Sequence, residues 1–255
     1  MQKLIYDIGM HTGEDTKYYL KQGYNVIAVD ANPDLVKEAE KKFSKYISSG
    51  QLTILNIGIA DTDKVLPFYK NLRKSQWSSF DKDIGTRAGT PYEVIEIKCS
   101  LMENVFKQYG VPYYMKVDIE GNDFLCLLGI SDNAKPKYIS CEACKLEWLD
   151  IMANKGYSKF KMISQLDNYT PINLKKERKS YYPPYKIIEN GIKLRVQKVI
   201  PFKHLYGSSG PFGEQTKGNW KSYEEIKRAF LEFNSDNESG KPLNNVSWFD
   251  FHATY

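Results

Sequence analysis

The stretch Leu4-Ile5-Tyr6-Asp7-Ile8-Gly9-Met10-His11-Thr12-Gly13-Glu14-Asp15-Thr16, with Asp30 closing the next apolar run, decides the fold. A short apolar segment ends in an acid and two glycines. A helical pattern then runs to Gly23, and a second apolar run, Asn25 to Val29, ends in Asp30. The order is strand, glycine turn, helix, strand, acid: a nucleotide-binding unit. Glycines at such a turn let the backbone approach a ligand, and the helix N-terminus behind them offers free N–H groups to an anionic group. An acid about 20 residues on accepts hydrogen bonds from ribose hydroxyls. A purely structural turn is the rival reading of G-x-x-x-G taken alone.

The same alternation continues outward. Asn32-Pro33 opens a helix carrying Leu35, Val36, Ala39 and Phe43, which Gly50 ends. Gln51 to Ile57 is a third strand, closed by Gly58-Ile59-Ala60-Asp61, and Val65 to Tyr69 is an edge strand. Residues 71–92 are polar around Gln76-Trp77-Ser78-Ser79-Phe80 and predict a loop over a pocket. Glu93 to Cys99, Tyr113 to Asp118, Lys137 to Cys141 and Ser158 to Ile163 read as strands. Leu101 to Tyr109, Asn122 to Leu128 and Leu146 to Lys155 read as helices. Such alternation predicts a doubly wound α/β sheet.

Beyond residue 164 the pattern changes. A hairpin is expected over 185–199, a sharp loop at Gly207 to Gly213, a helix from Ser222 to Phe233 capped by Ser222, and a last strand from Val246 to Ala253. Roughly 80 residues between two strands exceed an ordinary connection. The expected organisation is a core over 1–164, a cap over 165–246, and a strand over 247–255 returning to the core.

Composition narrows the class. Hydrophobic residues at 42% and charged residues at 26% are ordinary for a globular chain, and 19 tyrosines are many. A net charge of +5 permits an anionic substrate without demanding nucleic acid. The basic clusters Lys70, Arg73, Lys74 and Lys175, Lys176, Arg178, Lys179 read as solvated loops. Four cysteines make no disulfide framework; Cys141 and Cys144 lack a second pair for zinc and read as reduced core thiols. No signal-peptide pattern precedes the first strand and no apolar run approaches about 18 residues, so a cytoplasmic chain without a membrane span is expected.

Ligands of open α/β sheets sit beyond the carboxyl ends of the strands. Those ends here are Asp7-Ile8-Gly9, Asp30, Ile57-Gly58-Ile59, Asp118-Ile119-Glu120 and Glu142. So many carboxylates repel a pyrophosphate and favour a cationic ligand with a ribose and an amino-acid tail. S-adenosylmethionine fits, and a nicotinamide dehydrogenase falls behind.

At these residues the chain resembles the FkbM-type S-adenosylmethionine-dependent methyltransferases. The resemblance rests on Asp7 to Thr16, on Val29-Asp30-Ala31-Asn32-Pro33 and on Lys116-Val117-Asp118-Ile119-Glu120-Gly121-Asn122-Asp123. It extends to Ser208-Ser209-Gly210-Pro211-Phe212-Gly213-Glu214 and Trp248-Phe249-Asp250-Phe251-His252-Ala253. It implies a class I methyltransferase (Rossmann-like) fold, a seven-stranded sheet whose last strand is antiparallel, and acceptors that are hydroxyls of sugars, glycans or natural products. One departure is Ser100-Leu101-Met102, where the family has Leu-Asp.

The resemblance further implies that Asp7, Gly9 and Gly13 line the methionine end of the donor, with His11 and Thr16 close by. Asp30 binds the ribose, Ala31 and Asn32 flank the adenosine, and Gly58 and Ile59 pack near the adenine. Asp118 sits beside the methionine amino group or the transferring methyl. His11 also reads as a turn residue satisfied by backbone.

A hydroxyl acceptor benefits from a general base or a metal. Asp118 leads the candidates, with Glu142 and His204 behind. Asp118 and Glu142 end neighbouring strands and are placed to share a proton or a divalent metal, though no metal site is assigned. Glu120 reads as a base or as a group orienting its loop. His252 lies about 16 Å along the last strand at about 3.3 Å per residue, too far from the functional edge. The expected function is O-methylation of a sugar, glycan precursor or similar small polyhydroxylated molecule, with no nucleic-acid partner. The alternatives are a nucleic-acid or small-molecule N-methyltransferase and a non-catalytic S-adenosylmethionine-binding module. Tyr182-Pro183-Pro184-Tyr185 superficially matches the amine-methylating motif, but its first position lacks the polar acceptor. The acceptor and the oligomeric state are not legible.

Overall fold

The computed structural model describes residues 3–166, 169–174, 208–238 and 248–255. Most of the expected cap lies outside them, and with it His204, the hairpin expected over 185–199 and the Tyr182 to Tyr185 tetrapeptide. The chain divides into two compact units, Met1–Cys141 and Glu142–Tyr255. Seven strands form one sheet in the order β3-β2-β1-β7-β8-β10-β9, where β1 is Leu4–Ile8, β2 Asn25–Val29, β3 Leu52–Leu55, β7 Tyr114–Val117, β8 Tyr138–Glu142, β9 Lys159–Ser164 and β10 Phe249–Thr254. β10 runs antiparallel to β9, so the expected class I methyltransferase sheet with its antiparallel last strand is present.

In the first unit β1 pairs in parallel with β2 and with β7, and β2 with β3. Helices α1 (Glu14–Lys21), α2 (Pro33–Lys42) and α3 (Ser44–Ser48) connect the first three strands. Asn32 caps α2 by accepting the Asp34 N–H at 3.1 Å, and Pro33 occupies the first turn, where its missing N–H costs nothing. Several tyrosines serve the core: Tyr6, Tyr19, Tyr114 and Tyr138 are buried, and Tyr19 meets Tyr114 edge-on at 5.9 Å.

The strand expected over 93–99 does not join the main sheet. It is β6 (Tyr92–Ser100), the centre of a three-stranded sheet with β4 (Gly58–Ile59) and β5 (Val65–Asn71). Seven cross-strand pairs tie β5 to β6. The alternation of charged and β-branched residues suits a sheet with one wet face, unlike the almost fully buried β1, β2 and β7 of the main sheet. Residues 71–92 form the expected excursion, with a short helix α4 at Lys82–Gly85.

Helix α5 (Met102–Tyr109) begins where the family's aspartate is missing, and Leu101 supplies no side-chain cap. Asp63 takes that place. Its Oδ1 accepts from Ser100 Oγ at 3.0 Å and Leu101 N–H at 3.3 Å, and its carboxylate accepts from Asn104 Nδ2 at 2.9 and 3.0 Å. Helix α6 spans Asp123–Leu128.

In the second unit α7 (Leu146–Asn154) buries Trp148, Leu149 and Met152. Helix α8 (Tyr223–Glu238) packs Phe230 at a tilt against Phe251 and Phe233 edge-on against Phe249, both at 5.3 Å. Ser222 and Glu225 form a capping box, worth about 1 kcal/mol at the serine. The described cysteines are free thiols; Cys141 is buried, but Cys144 is exposed, so it is no core thiol. Among the described residues no helix is long and apolar enough to cross a membrane.

Candidate functional site

The glycine turn is built against two strand ends at once. Gly9 and Met10 donate their N–H groups to the Val29 carbonyl at 2.9 and 3.0 Å. Gly9 sits at φ +83°, and a Cβ there would collide with the Asp118 carbonyl oxygen. Only glycine tolerates both the dihedral and the approach. Gly13, at φ +76°, precedes α1 without a side-chain cap, and a Cβ there would press on the Phe43 ring.

Beneath this turn lies a buried charge cluster. Asp7 is 0% exposed, and its Oδ2 accepts the Thr16 hydroxyl at 2.5 Å. Across the parallel pairing of β1 and β7, Asp7 faces Lys116. The Lys116 ammonium lies 3.2 Å from Asp7 Oδ1 and 3.6 Å from Asp118 Oδ2, and donates to the Gly9 carbonyl at 2.8 Å. Burial opposes that charge, but Asp7 and Asp118 outweigh it and hold Lys116 well above the usual lysine range. The Asp118 side chain is 42% exposed. Asp7 is thus spent on Lys116, and Asp118 presents the accessible carboxylate.

Asp30 is half-buried at the end of β2. Its Oδ2 accepts the His11 N–H at 2.7 Å and its Oδ1 the Asn32 N–H at 2.8 Å. Each oxygen keeps a lone pair for a further donor. Burial pushes this carboxyl up to about 6, against the lowering by those two N–H groups. The carbonyls of Asp30 and Ala31 both accept from Asn56 Nδ2, at 3.0 and 3.1 Å.

His11 lies in the turn and is met by side chains rather than by backbone. Its φ is +51°, its N–H serves Asp30, and its Nε2 lies 2.8 Å from Ser75 Oγ. Burial lowers its pKa, with Glu14 working the other way. Gly58 and Ile59 are buried in β4, and a Cβ on Gly58 would meet the Phe80 ring. Past Asp118, Glu120 adopts φ +49°, and its Oε2 lies 2.8 Å from Arg87 Nη2. Its carbonyl accepts from Ser79 Oγ at 2.9 Å.

The structure therefore gathers Asp7, Gly9, His11, Gly13, Thr16, Asp30 and Asp118 within the first unit. Glu142, half-buried at the end of β8, belongs to the second unit, and His204 lies outside the described residues. Also in the second unit, His252 is 1% exposed, its Nε2 has no hydrogen-bond partner, and it faces Lys161 across the strand pair. Burial, then Lys161, lowers it to about 3. It carries no accessible proton. Among the described residues no three His, Cys, Asp or Glu side chains group as a metal site.

Lys116 stands in a motif of the sequence reading without a role assigned to it, and Arg87 and Ser75 escape that reading. Lys116 left a signal, a cation inside the otherwise apolar strand Tyr114–Val117. Arg87 and Ser75 left none, because their partners lie far along the chain.

The family described as Methyltransferase FkbM domain matches residues 7–169. No curated protein sequence matches the chain. Among solved structures, a putative sarcosine dimethylglycine methyltransferase from Galdieria sulphuraria is 9% identical, with all of this chain and 78% of the other covered at a TM-score of 0.44. A SAM-dependent methyltransferase from Archaeoglobus fulgidus is 13% identical, with 100% and 86% covered at a TM-score of 0.41. The Haemonchus contortus phosphoethanolamine N-methyltransferase 2 in complex with S-adenosyl-L-methionine is 11% identical, with 100% and 49% covered at a TM-score of 0.41.

Proposed function

Because the chain belongs to the FkbM methyltransferase domain family, we propose that it methylates a hydroxyl of a sugar, glycan precursor or similar small polyhydroxylated molecule, with S-adenosylmethionine as donor. The observation that carries the donor site is the division of labour among its acids. Asp7 is buried against Lys116, which leaves Asp118 and Asp30 to meet the ligand. Asp30, with both oxygens fixed by backbone N–H groups, accepts the ribose hydroxyls, flanked by Ala31 and Asn32. Asp118 takes the cationic amino-acid end. Gly9 and Gly13 admit the ligand close to the backbone, and the N–H groups opening α1 receive its carboxylate. Asp7 and Thr16 act from below, through Lys116, rather than by touching the ligand. Gly58 and Ile59 border the adenine.

The bound donor supplies a methyl group activated by a sulfonium. The chain's own part is to align the acceptor and take up its proton. Asp118 is the first candidate for that proton, with Glu142 and His204 behind it. The acceptor class rests on the usual acceptors of the family.

Titration calorimetry with S-adenosylmethionine, followed by a screen of hydroxylated acceptors with labelled donor, tests the reading. Amine acceptors serve as the contrast. Asp118→Ala is expected to weaken donor binding by more than about tenfold, the scale of one charge-assisted contact, while the chain stays folded. Full binding and turnover in that variant would refute the assignment.

A further inference from the structure

We infer that Arg87 is a positioning residue for the donor site, acting through Glu120, and that residues 71–90 form a strap holding both turns that border the donor. The inference rests on the donor-site reading given above.

The excursion is anchored at both ends and folded on itself. It leaves β5 at Asn71 and returns at Tyr92, which pair with each other. Buried Asn71 donates to the Gly85 carbonyl at 2.9 Å and accepts the N–H groups of Arg73 and Lys74 at 3.1 and 2.9 Å. Thr90 Oγ1 donates to the Arg87 carbonyl at 2.9 Å. The Trp77 ring carries Lys74 Nζ 3.9 Å from its centroid and the Arg87 guanidinium carbon at 4.4 Å. The Arg87 guanidinium is therefore held against the Trp77 ring while its Nη2 reaches Glu120.

From this strap four side chains reach two distant turns. Ser75 Oγ meets His11 Nε2 at 2.8 Å. Ser79 Oγ donates to the Glu120 carbonyl, and Arg87 Nη2 pairs with Glu120 Oε2. Ile84 fills the space beside Gly121, where φ is +98° and a Cβ would meet its Cδ1 at 2.5 Å. His11 and Glu120 are both non-glycine residues in left-handed backbone, a conformation that persists only when the surroundings enforce it. Both are gripped by the strap. The turns also touch one another, since Gly9 packs on the Asp118 carbonyl. Releasing Glu120 lets the segment after Asp118 relax, and the glycine turn loses the wall it is built against. Arg87 thus fixes where the Asp118 carboxylate points without touching the ligand itself.

The test uses the full chain and S-adenosylhomocysteine, read by calorimetry, thermal melting and amide hydrogen exchange. R87Q is expected to weaken binding about tenfold with a melting midpoint within about 3 °C of the parent. R87K, which restores the cation, recovers most of that loss. E120Q has a similar effect, and R87Q/E120Q is no worse than either single variant, because both remove one interaction. Ligand slows exchange over residues 74–90 in the parent and not in R87Q. Unchanged affinity in R87Q, or additive losses in the double variant, overturns the inference. Should R87Q fail to fold, E120Q decides by the same two readings, affinity and ligand-induced protection. A parent that binds no S-adenosylhomocysteine overturns the donor-site reading and this inference together; a parent that binds beside an indifferent R87Q overturns this inference alone.

Discussion

The Asp30 carboxyl titrates at about 6 because it is buried, and the proposed ribose contact requires its ionised form. Donor affinity should therefore fall as pH drops through that value. If only the carboxylate binds, the apparent dissociation constant scales as one plus the ratio of protonated to ionised Asp30. That factor is about 1.1 at pH 7 and about 11 at pH 5, a loss near 1.4 kcal/mol. S-adenosylhomocysteine is the suitable probe, since its α-amino and α-carboxyl groups keep their charge between pH 5 and 7. Calorimetry across that range should show roughly tenfold weakening in the parent. D30N should bind weakly at every pH and lose the slope, because the titrating group is gone. H11Q controls for His11, whose link to Asp30 runs through its backbone N–H and survives the substitution. A parent whose affinity changes less than about twofold from pH 7 to 5, or a D30N variant that keeps the slope, would refute the reasoning. The folding linkage has the opposite sense. Raised above its unfolded value, this carboxyl contributes stability that is present below about pH 4 and is lost as pH rises through about 6, on the order of 3 kcal/mol. Donor binding draws on the ionised form, so ligand should raise the melting midpoint more at pH 7 than at pH 5.

Two further predictions concern stability. Lys116→Met should cost about 3–5 kcal/mol in urea unfolding, because it leaves Asp7 buried without a cation, and adding Asp7→Asn should recover much of that loss; equal costs for the single and double variants would contradict the pairing. His252 has its folded pKa depressed to about 3, so its contribution is present above about pH 6.5 and is lost as pH falls toward 3, reaching roughly 2 kcal/mol at pH 5. His252→Phe should remove that part of the acid sensitivity, read as the difference between parent and variant unfolding at pH 7 and pH 5; an unchanged difference would show that His252 does not titrate this way.

The parts of the molecule legible in sequence are those set by local pattern. Apolar runs ending in glycine or acid gave β1, β2, β7 and β8 within a residue or two, and Asn32-Pro33 and Ser222 announced their helices through capping chemistry. Asp30 was legible because its spacing from the glycine turn follows from one βαβ unit. What sequence could not show is pairing between distant segments. The strand at 93–99 looked like a member of the main sheet, since alternation says which face is wet but not which neighbour is chosen. The Arg87–Glu120 pair spans 33 positions and the His11–Ser75 contact 64, and no spacing rule reaches that far. Asp63 makes the same point at α5, where the capping acid comes from the connection between β4 and β5, earlier in the chain.

The structure also changes how the acids at the strand ends should be counted. Taken as a list, they form one anionic rim that selects a cation by sheer charge. In three dimensions they differ in kind. Asp7 and Lys116 neutralise each other in a place water does not reach, and the Lys116 ammonium also holds the Gly9 carbonyl and lies beside the Asp118 carboxylate. Asp30 sits where burial raises its pKa, so its charge at neutral pH is held at a cost that a ribose hydroxyl pair can offset. Asp118 combines exposure with a charged neighbour, Lys116, that orients it, whereas Glu120 is paired to Arg87. Under the proposed donor site, selectivity for a cationic amino-acid tail depends on one oriented carboxylate rather than on net charge. It should respond far more to Asp118 than to any other acid, and only weakly to salt, because a contact held at close range is screened little.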